Sequence, residues 1–135
     1  MKKKWLAVVG VIFIMMTVSM NTGCTNTKYN ITGEWRVDLT LGTAAGYFIV
    51  GFAGNSTSGI VIWDDQSAGE YSVASKDLEF VLRLNLITNE GNSKTLIYYF
   101  VGSFEDGSHM NGTVKVYDPE VAGSEVNGTW LAQKL

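Results

Sequence analysis

Hydrophobic and polar residues alternate along several short stretches of the chain. The clearest stretch is 34–41, in which Trp35, Val37 and Leu39 lie on one face and polar side chains on the other. Period-2 alternation of this length predicts a half-buried antiparallel strand. A second stretch, 78–87, alternates in the same way, with leucine or phenylalanine at every other position.

Eight such segments follow one another, separated by short runs rich in Gly, Asn, Asp and Ser. The predicted strands are 34–41 (opened by 31–33), 47–53, 60–63, 70–74, 78–87, 94–104, 110–117 and 125–134. Gly102 inside the sixth strand predicts a bend or bulge. Beyond residue 24 no stretch combines a 3.6-residue apolar repeat with helix caps. The predicted fold class is therefore all-β.

Short connections between sequential strands predict an antiparallel meander, and closing eight strands removes both exposed edges. We therefore expect an antiparallel eight-stranded up-and-down β-barrel, with a β-sandwich as the alternative for the same strand count. Trp35 and Trp130 would lie where the first and last strands meet. The repeat of 111–113 as 127–129, both Asn-Gly-Thr, indicates two neighbouring strands.

The first 23 residues have a different composition. Three lysines at 2–4 precede an apolar run at 5–20, and Asn21, Thr22 and Gly23 follow it. A basic start, an apolar core and small residues predict a secretory signal peptide. The apolar run is shorter than the roughly 20 residues that a bilayer-spanning helix needs, and a retained single-pass anchor is the alternative.

Cys24, the only cysteine of the chain, lies where signal cleavage would leave it as the new N-terminus. It has no second cysteine with which to form an internal disulfide. The segment ending at Cys24 resembles the signal of bacterial lipoproteins. That resemblance implies cleavage before Cys24, a covalent diacylglycerol on its sulfur and an N-acyl chain, such as palmitate, on its amine. Asn21 departs from the family pattern, which has Leu or another aliphatic residue there.

The expected domains are a lipoprotein signal peptide at 1–23, a lipidated tether at 24–30 and a β-barrel at 31–135. The resemblance implies a lipid-anchored protein of the bacterial cell envelope. Thr25 rather than Asp after the cysteine implies the outer membrane where two membranes are present, and otherwise the exterior of the cell membrane. Ordinary secretion with an incidental cysteine is the alternative.

The opening and closing strands carry a second resemblance. Gly33-Glu34-Trp35 resembles the Gly-x-Trp that opens the first strand of lipocalins and related calycin barrels, and 31–35 is similar to the opening strand of avidin-type barrels. The segment 127–134 resembles the closing strand of small bacterial lipoproteins of this architecture. Lipocalins place an Arg of the last strand over the first-strand Trp, and here that region offers Lys134. No residues match the biotin contacts of avidins.

Charge narrows the class of partner. The chain carries a formal charge of −3, and three of its ten basic residues belong to the signal segment, so the domain itself is more acidic. An acidic domain without a Lys/Arg cluster argues against nucleic acid as a partner. If the domain binds a protein, we expect that protein to be basic.

No residue pattern predicts an enzyme. His109 is the only histidine, and we expect it to be a solvated turn residue. The pairs 64–65 and 105–106 are acidic but fall in turns, where Asp is favoured for local hydrogen bonds, and no spacing matches a calcium loop. We therefore predict no catalytic residues, no metal and no cofactor other than the lipid on Cys24. A hydrolase is the least favoured hypothesis.

Aromatic residues on the predicted strands are the remaining feature that bears on function. An eight-stranded barrel is either filled by side chains or holds one small ligand. Most of these aromatic side chains should fill the core, and the candidates for lining a ligand pocket are Tyr47, Trp63, Tyr71 and Tyr98.

The functional hypothesis is a lipid-anchored envelope barrel that binds a small apolar ligand or an envelope component. The alternative is a non-enzymatic protein-interaction or inhibitor module, with loops 64–68 or 118–123 as contact surface.

Overall fold

The computed structural model describes residues 29–87 and 89–135, and these residues form eight strands. Their bounds are β1 Gly33–Leu41, β2 Ala44–Gly54, β3 Ser58–Trp63, β4 Gln66–Ala74, β5 Asp77–Ile87, β6 Ser93–Asp106, β7 His109–Tyr117 and β8 Val126–Lys134. The predicted signal peptide at 1–23, the lipid-attachment residue Cys24 and the tether up to residue 28 lie outside the described residues. Within them, no helix is long and apolar enough to cross a membrane.

Each strand pairs antiparallel with the next, and the last strand pairs with the first. The β1–β8 ladder runs from Trp35 opposite Lys134 to Thr40 opposite Thr129. The structure is therefore the closed eight-stranded barrel that the alternation predicted, and not the sandwich. β7 and β8, which carry the Asn-Gly-Thr repeat, are neighbours with Thr113 opposite Thr129.

Several hairpin connections are shorter than the sequence suggested, among them those before β2 and β4. β2 begins at Ala44 rather than Tyr47, because its small residues continue the ladder with β1 down to the pair Leu41–Ala44. β4 begins at Gln66 rather than Glu70, so only Asp64 and Asp65 form the β3–β4 turn. Both aspartates have positive φ, 53° and 60°, as the two central residues of a type I′ hairpin require.

Side chains from all eight strands fill the centre of the barrel. Phe80 stacks on Phe100 with ring centroids 4.2 Å apart, and the Trp130 ring meets both edge-on at 5.5 and 5.7 Å. Phe52 joins them at 5.1 Å from Phe80. All four rings are buried, so the middle of the barrel is a packed core.

Two glycines, one on β6 and one on β7, lie beside Trp130 in the strand register. Gly102 lies opposite Gly112, and Gly112 lies opposite Trp130. The indole Nε1–H donates to the carbonyls of Val101 and Thr113, at 3.2 and 3.0 Å. Gly102 therefore makes room for a ring. The irregularity that its presence led us to expect lies further along β6, between Phe104 and Asp106.

One end of the barrel is closed by the segment before β1. Ile31 is fully buried, and its carbonyl accepts a 2.7 Å hydrogen bond from Trp35 Nε1–H. Lys134 Nζ lies 5.8 Å from the centroid of the Trp35 ring and donates to the Asn30 carbonyl at 3.3 Å. Tyr29 stacks on Phe104 at 4.9 Å. Tyr29 and Asn30, which the sequence placed in the tether, therefore contact the barrel.

A second, smaller cluster lies on the outer face of β5 and β6. Val81 and Ile97 are fully buried there, packed against Tyr99 and Tyr117. Glu79 is buried beside them and accepts a hydrogen bond from the Tyr99 hydroxyl through Oε2, while its Oε1 has no hydrogen-bond partner. Burial raises the pKa of Glu79, and the Tyr99 hydrogen bond only partly offsets this.

We expect Gly102→Ala to lower the free energy of unfolding by about 2–3 kcal/mol, because overpacking a filled core forces neighbours to move. An added Cβ would lie 2.0 Å from the Asn111 carbonyl oxygen and 2.7 Å from Trp130 Cζ2. Urea unfolding measures the change. The control is Gly107→Ala in the β6–β7 turn, where a Cβ meets nothing within 4 Å. Equal stability of the two variants would contradict this packing.

Glu79→Gln should remove a pH dependence of stability. The raised pKa of Glu79 means that the folded state keeps this proton to a higher pH than the unfolded state does. Its contribution is therefore fully present below the ordinary pKa of 4.5 and is lost as pH rises through the folded-state pKa. Urea unfolding between about pH 4 and 8 should show this loss in the wild type and in the exposed control Glu90→Gln, but not in Glu79→Gln. Parallel curves for all three would disprove it.

Candidate ligand-binding site at the open end of the barrel

The candidate site lies at the end of the barrel opposite Ile31. In a meander of antiparallel strands alternate hairpins lie at the same end, so the turns 42–43, 64–65 and 118–125 and the turn residues 89–92 all lie at this end. We call it the mouth.

On one side of the mouth the wall of the barrel is low, because the β3–β4 hairpin is shorter than the neighbouring strands β2 and β5. β2 has eleven residues, but its ladder with β3 covers only Gly51–Gly54. β5 also has eleven residues, and its ladder with β4 covers only Asp77–Phe80. The two-residue turn at 64–65 ends the hairpin before it reaches the rim. The mouth therefore opens sideways between β2 and β5.

An apolar pocket of about 240 Å³ lies in the mouth. Its lining comes from β1, β2 and β6: Leu39, Leu41, Ala44, Ala45, Gly46, Tyr47, Phe48 and Tyr98. None of these side chains is charged. A pocket of this lining can hold an apolar group, and the filled core below it limits how deep that group can go.

The Phe48 ring contacts two other aromatic rings at this end of the barrel. Its ring meets Tyr98 edge-on at 5.2 Å and Trp63 edge-on at 6.1 Å. Tyr98 in turn stacks on Phe100 of the filled core, 6.4 Å away. Burial raises the pKa of Tyr98 above its ordinary value of 10.0, so its hydroxyl is neutral at physiological pH. The aromatic surface of the mouth thus continues the packed core outward.

A larger cleft, of about 870 Å³, lies where β2 and β3 separate. It is lined by Glu34, Tyr47, Phe48, Ile49, Gly51, Ile62, Trp63, Asp64 and Asp65. The runs 47–49 and 62–65 are consecutive in sequence, so the cleft lies between two strand edges rather than on one face of the sheet. We call it the lateral cleft. Tyr47 and Phe48 line both the lateral cleft and the mouth pocket.

The structure brings three of the four predicted pocket residues together. Tyr98 lines the mouth pocket, Trp63 lines the lateral cleft, and Tyr47 lines both. Tyr71 is separate from them and fully buried near the closed end, where its hydroxyl donates to the Asn55 carbonyl at 2.7 Å. The predicted lipid-attachment residue, Cys24, is outside the described residues.

Phe48 and Leu41 belong to the mouth but were not among the sequence candidates. The signal for Phe48 is the alternation with Val50 and Phe52, which places all three on the inner face of β2. Leu41 continues the inner face of β1, and its position at the last step of the strand puts it at the rim. Both follow from the pattern once the strand ends are known.

Of the two acidic pairs, Asp64 and Asp65 form the β3–β4 turn as expected, whereas Glu105 and Asp106 end strand β6 rather than lying in a turn. Among residues 29–87 and 89–135, no group of three or more His, Cys, Asp or Glu side chains is placed to bind a metal ion. His109 is about half exposed, and its Nδ1 lies 2.9 Å from Asp106 Oδ1. The Ser108 amide and then His109 lower the pKa of Asp106 by hydrogen bonding to its carboxylate.

Together these features define a small up-and-down β-barrel with a filled core, an apolar pocket at one end and a cleft in its wall. No protein-family model, no curated protein and no solved structure matches the chain.

Proposed function

We propose that the protein binds a small apolar ligand at the mouth of the barrel while a lipid on Cys24 anchors it to the bacterial cell envelope. The single observation that supports binding is the uncharged pocket beside Phe48, left open above a filled core. Its volume of about 240 Å³ suits a small ligand or one part of a larger ligand. The rest of a larger ligand would extend through the low side of the wall.

The geometry of the pocket supports an apolar rather than a charged ligand. A charge placed against Leu39, Leu41 and Phe48 would lose its hydration without gaining an ionic partner, which is unfavourable. An aliphatic or aromatic group would instead be removed from water, at about 25 cal/mol for each Å² buried. Tyr98 can orient a polar end of the ligand through its neutral hydroxyl.

Gly46→Leu should weaken binding of a neutral apolar dye such as N-phenyl-1-naphthylamine by about tenfold, or ~1.4 kcal/mol. Gly46 lines the pocket and lies on the same face of β2 as Phe48, and a Cβ added there meets nothing within 4 Å. A leucine can therefore fill the pocket without displacing the wall. Dye fluorescence on a chain that starts at Thr25, which contains every described strand, measures the affinity.

Gly107→Leu is the control for that experiment, because it adds the same side chain in open space at the closed end. It should bind the dye like the wild type. Equal binding by both variants would mean that the dye, and by inference the ligand, does not use the mouth.

Cys24→Ser should abolish the incorporation of radiolabelled palmitate and leave the precursor uncut. The reason is that diacylglycerol attachment requires the thiol and, in the lipoprotein pathway that the signal resembles, precedes cleavage. Thr25→Ser keeps the cysteine and should be labelled and cut. Labelled Cys24→Ser protein would refute the anchor and leave the proposal for the mouth unaffected.

A further inference from the structure

The lateral cleft has an unpaired strand edge along one side. In an antiparallel strand, every second residue directs both its N–H and its C=O to the same neighbouring strand, and the residues between them direct theirs to the strand on the other side. Across the β2–β3 turn the Asn55 amide donates to the Ser58 carbonyl at 3.0 Å, so the odd-numbered residues of β2 face β3. The ladder with β3 ends at Gly51. The peptide groups of Tyr47 and Ile49 therefore point into the cleft with no ladder partner on that side.

Three carboxylates and no cation line the same cleft. Glu34 lies on β1, and Asp64 and Asp65 form the tip of the β3–β4 hairpin. None of the ion pairs between described residues involves them; those pairs are Arg36–Asp38, Arg83–Glu70, Lys94–Asp118, His109–Asp106 and Lys115–Glu125. Arg36 stacks over the Tyr47 ring at 4.2 Å and pairs with Asp38, and it does not line the cleft.

We propose that the lateral cleft binds an extended basic segment of a protein partner, which adds as a strand to the free edge of β2. Backbone hydrogen bonds to Tyr47 and Ile49 would hold the segment, as in other cases of strand addition. Its basic side chains would meet Glu34, Asp64 and Asp65. The edge from Tyr47 to Gly51 is about 14 Å long, which accommodates about four residues of extended chain.

A second copy of this chain fits the cleft less well. Pairing two β2 edges would bring two sets of the same three carboxylates together, and like charges facing each other across an interface are unfavourable. The free β2 segment, 44–50, contains no basic residue that could offset them. A basic segment from another protein satisfies both the strand edge and the charge.

The mouth pocket and the lateral cleft can be tested separately. Glu34, Asp64 and Asp65 line only the cleft, so changing them leaves the lining of the mouth intact. Asn replaces Asp well in a turn with positive φ, so Asp64→Asn and Asp65→Asn keep the hairpin. Dye binding in the mouth therefore serves as a check on folding for these variants.

The test measures fluorescence anisotropy of a dye-labelled peptide, Lys-Val-Lys-Val-Lys, against the full chain in non-ionic detergent. We expect saturable binding that weakens as salt is added, because exposed charges are screened. The combined variant Glu34→Gln, Asp64→Asn and Asp65→Asn should bind at least about tenfold more weakly, which is ~1.4 kcal/mol. The control variant makes the same charge change at exposed positions elsewhere: Glu90→Gln, Glu105→Gln and Glu120→Gln.

Two further peptides separate strand addition from simple charge attraction. The same peptide with every amide N-methylated keeps its charge but cannot donate backbone hydrogen bonds, and Glu-Val-Glu-Val-Glu keeps the backbone but reverses the charge. Neither should bind measurably. Absence of binding by the basic peptide, equal binding of its methylated form, or equal weakening by the control variant would each overturn the proposal. So would a dimer of the full chain that the peptide cannot dissociate.

Discussion

Closure of the first strand on the last is the constraint on which the rest of the molecule depends. Six positions of β1 pair with β8, from Trp35 to Thr40, and this ladder leaves neither strand with an open edge. A closed wall encloses a fixed volume, and that volume has to be filled or opened to solvent. Aromatic rings fill it at the centre, and Trp130 has room there because Gly102 carries no side chain: a Cβ at Gly102 would lie 2.7 Å from the Trp130 ring.

The strands with strict alternation could be predicted because apolar residues at every second position mark the face that is buried. The stretch 34–41 is such a case, and its structure matches the expectation residue by residue. The start of β2 could not be predicted in the same way. Ala44, Ala45 and Gly46 have no alternation and little strand propensity, and they are held extended by pairing with β1. Partner strands, rather than local sequence, decide such segments.

The candidate site was harder to predict than the fold for a related reason. An aromatic residue on a strand can fill the core or line a pocket, and the pattern along the strand is the same in both cases. Tyr71 and Tyr98 illustrate this: both point inward, but one lies near the plugged end and the other near the mouth. Which end is open depends on the length of the hairpins and on Ile31, which lies before the first strand.

The short β3–β4 hairpin explains why two different surfaces lie side by side. Asp64 and Asp65 both adopt positive φ and reverse the chain in two residues, so β3 stops while β2 continues. The missing wall uncovers the inner face of β2, where Phe48 presents an apolar surface. It also uncovers the edge of β2, where Tyr47 and Ile49 line the cleft together with the two aspartates. One tight turn thus creates both the uncharged pocket where we propose that an apolar ligand binds and the acidic strand edge where we propose that a basic segment adds.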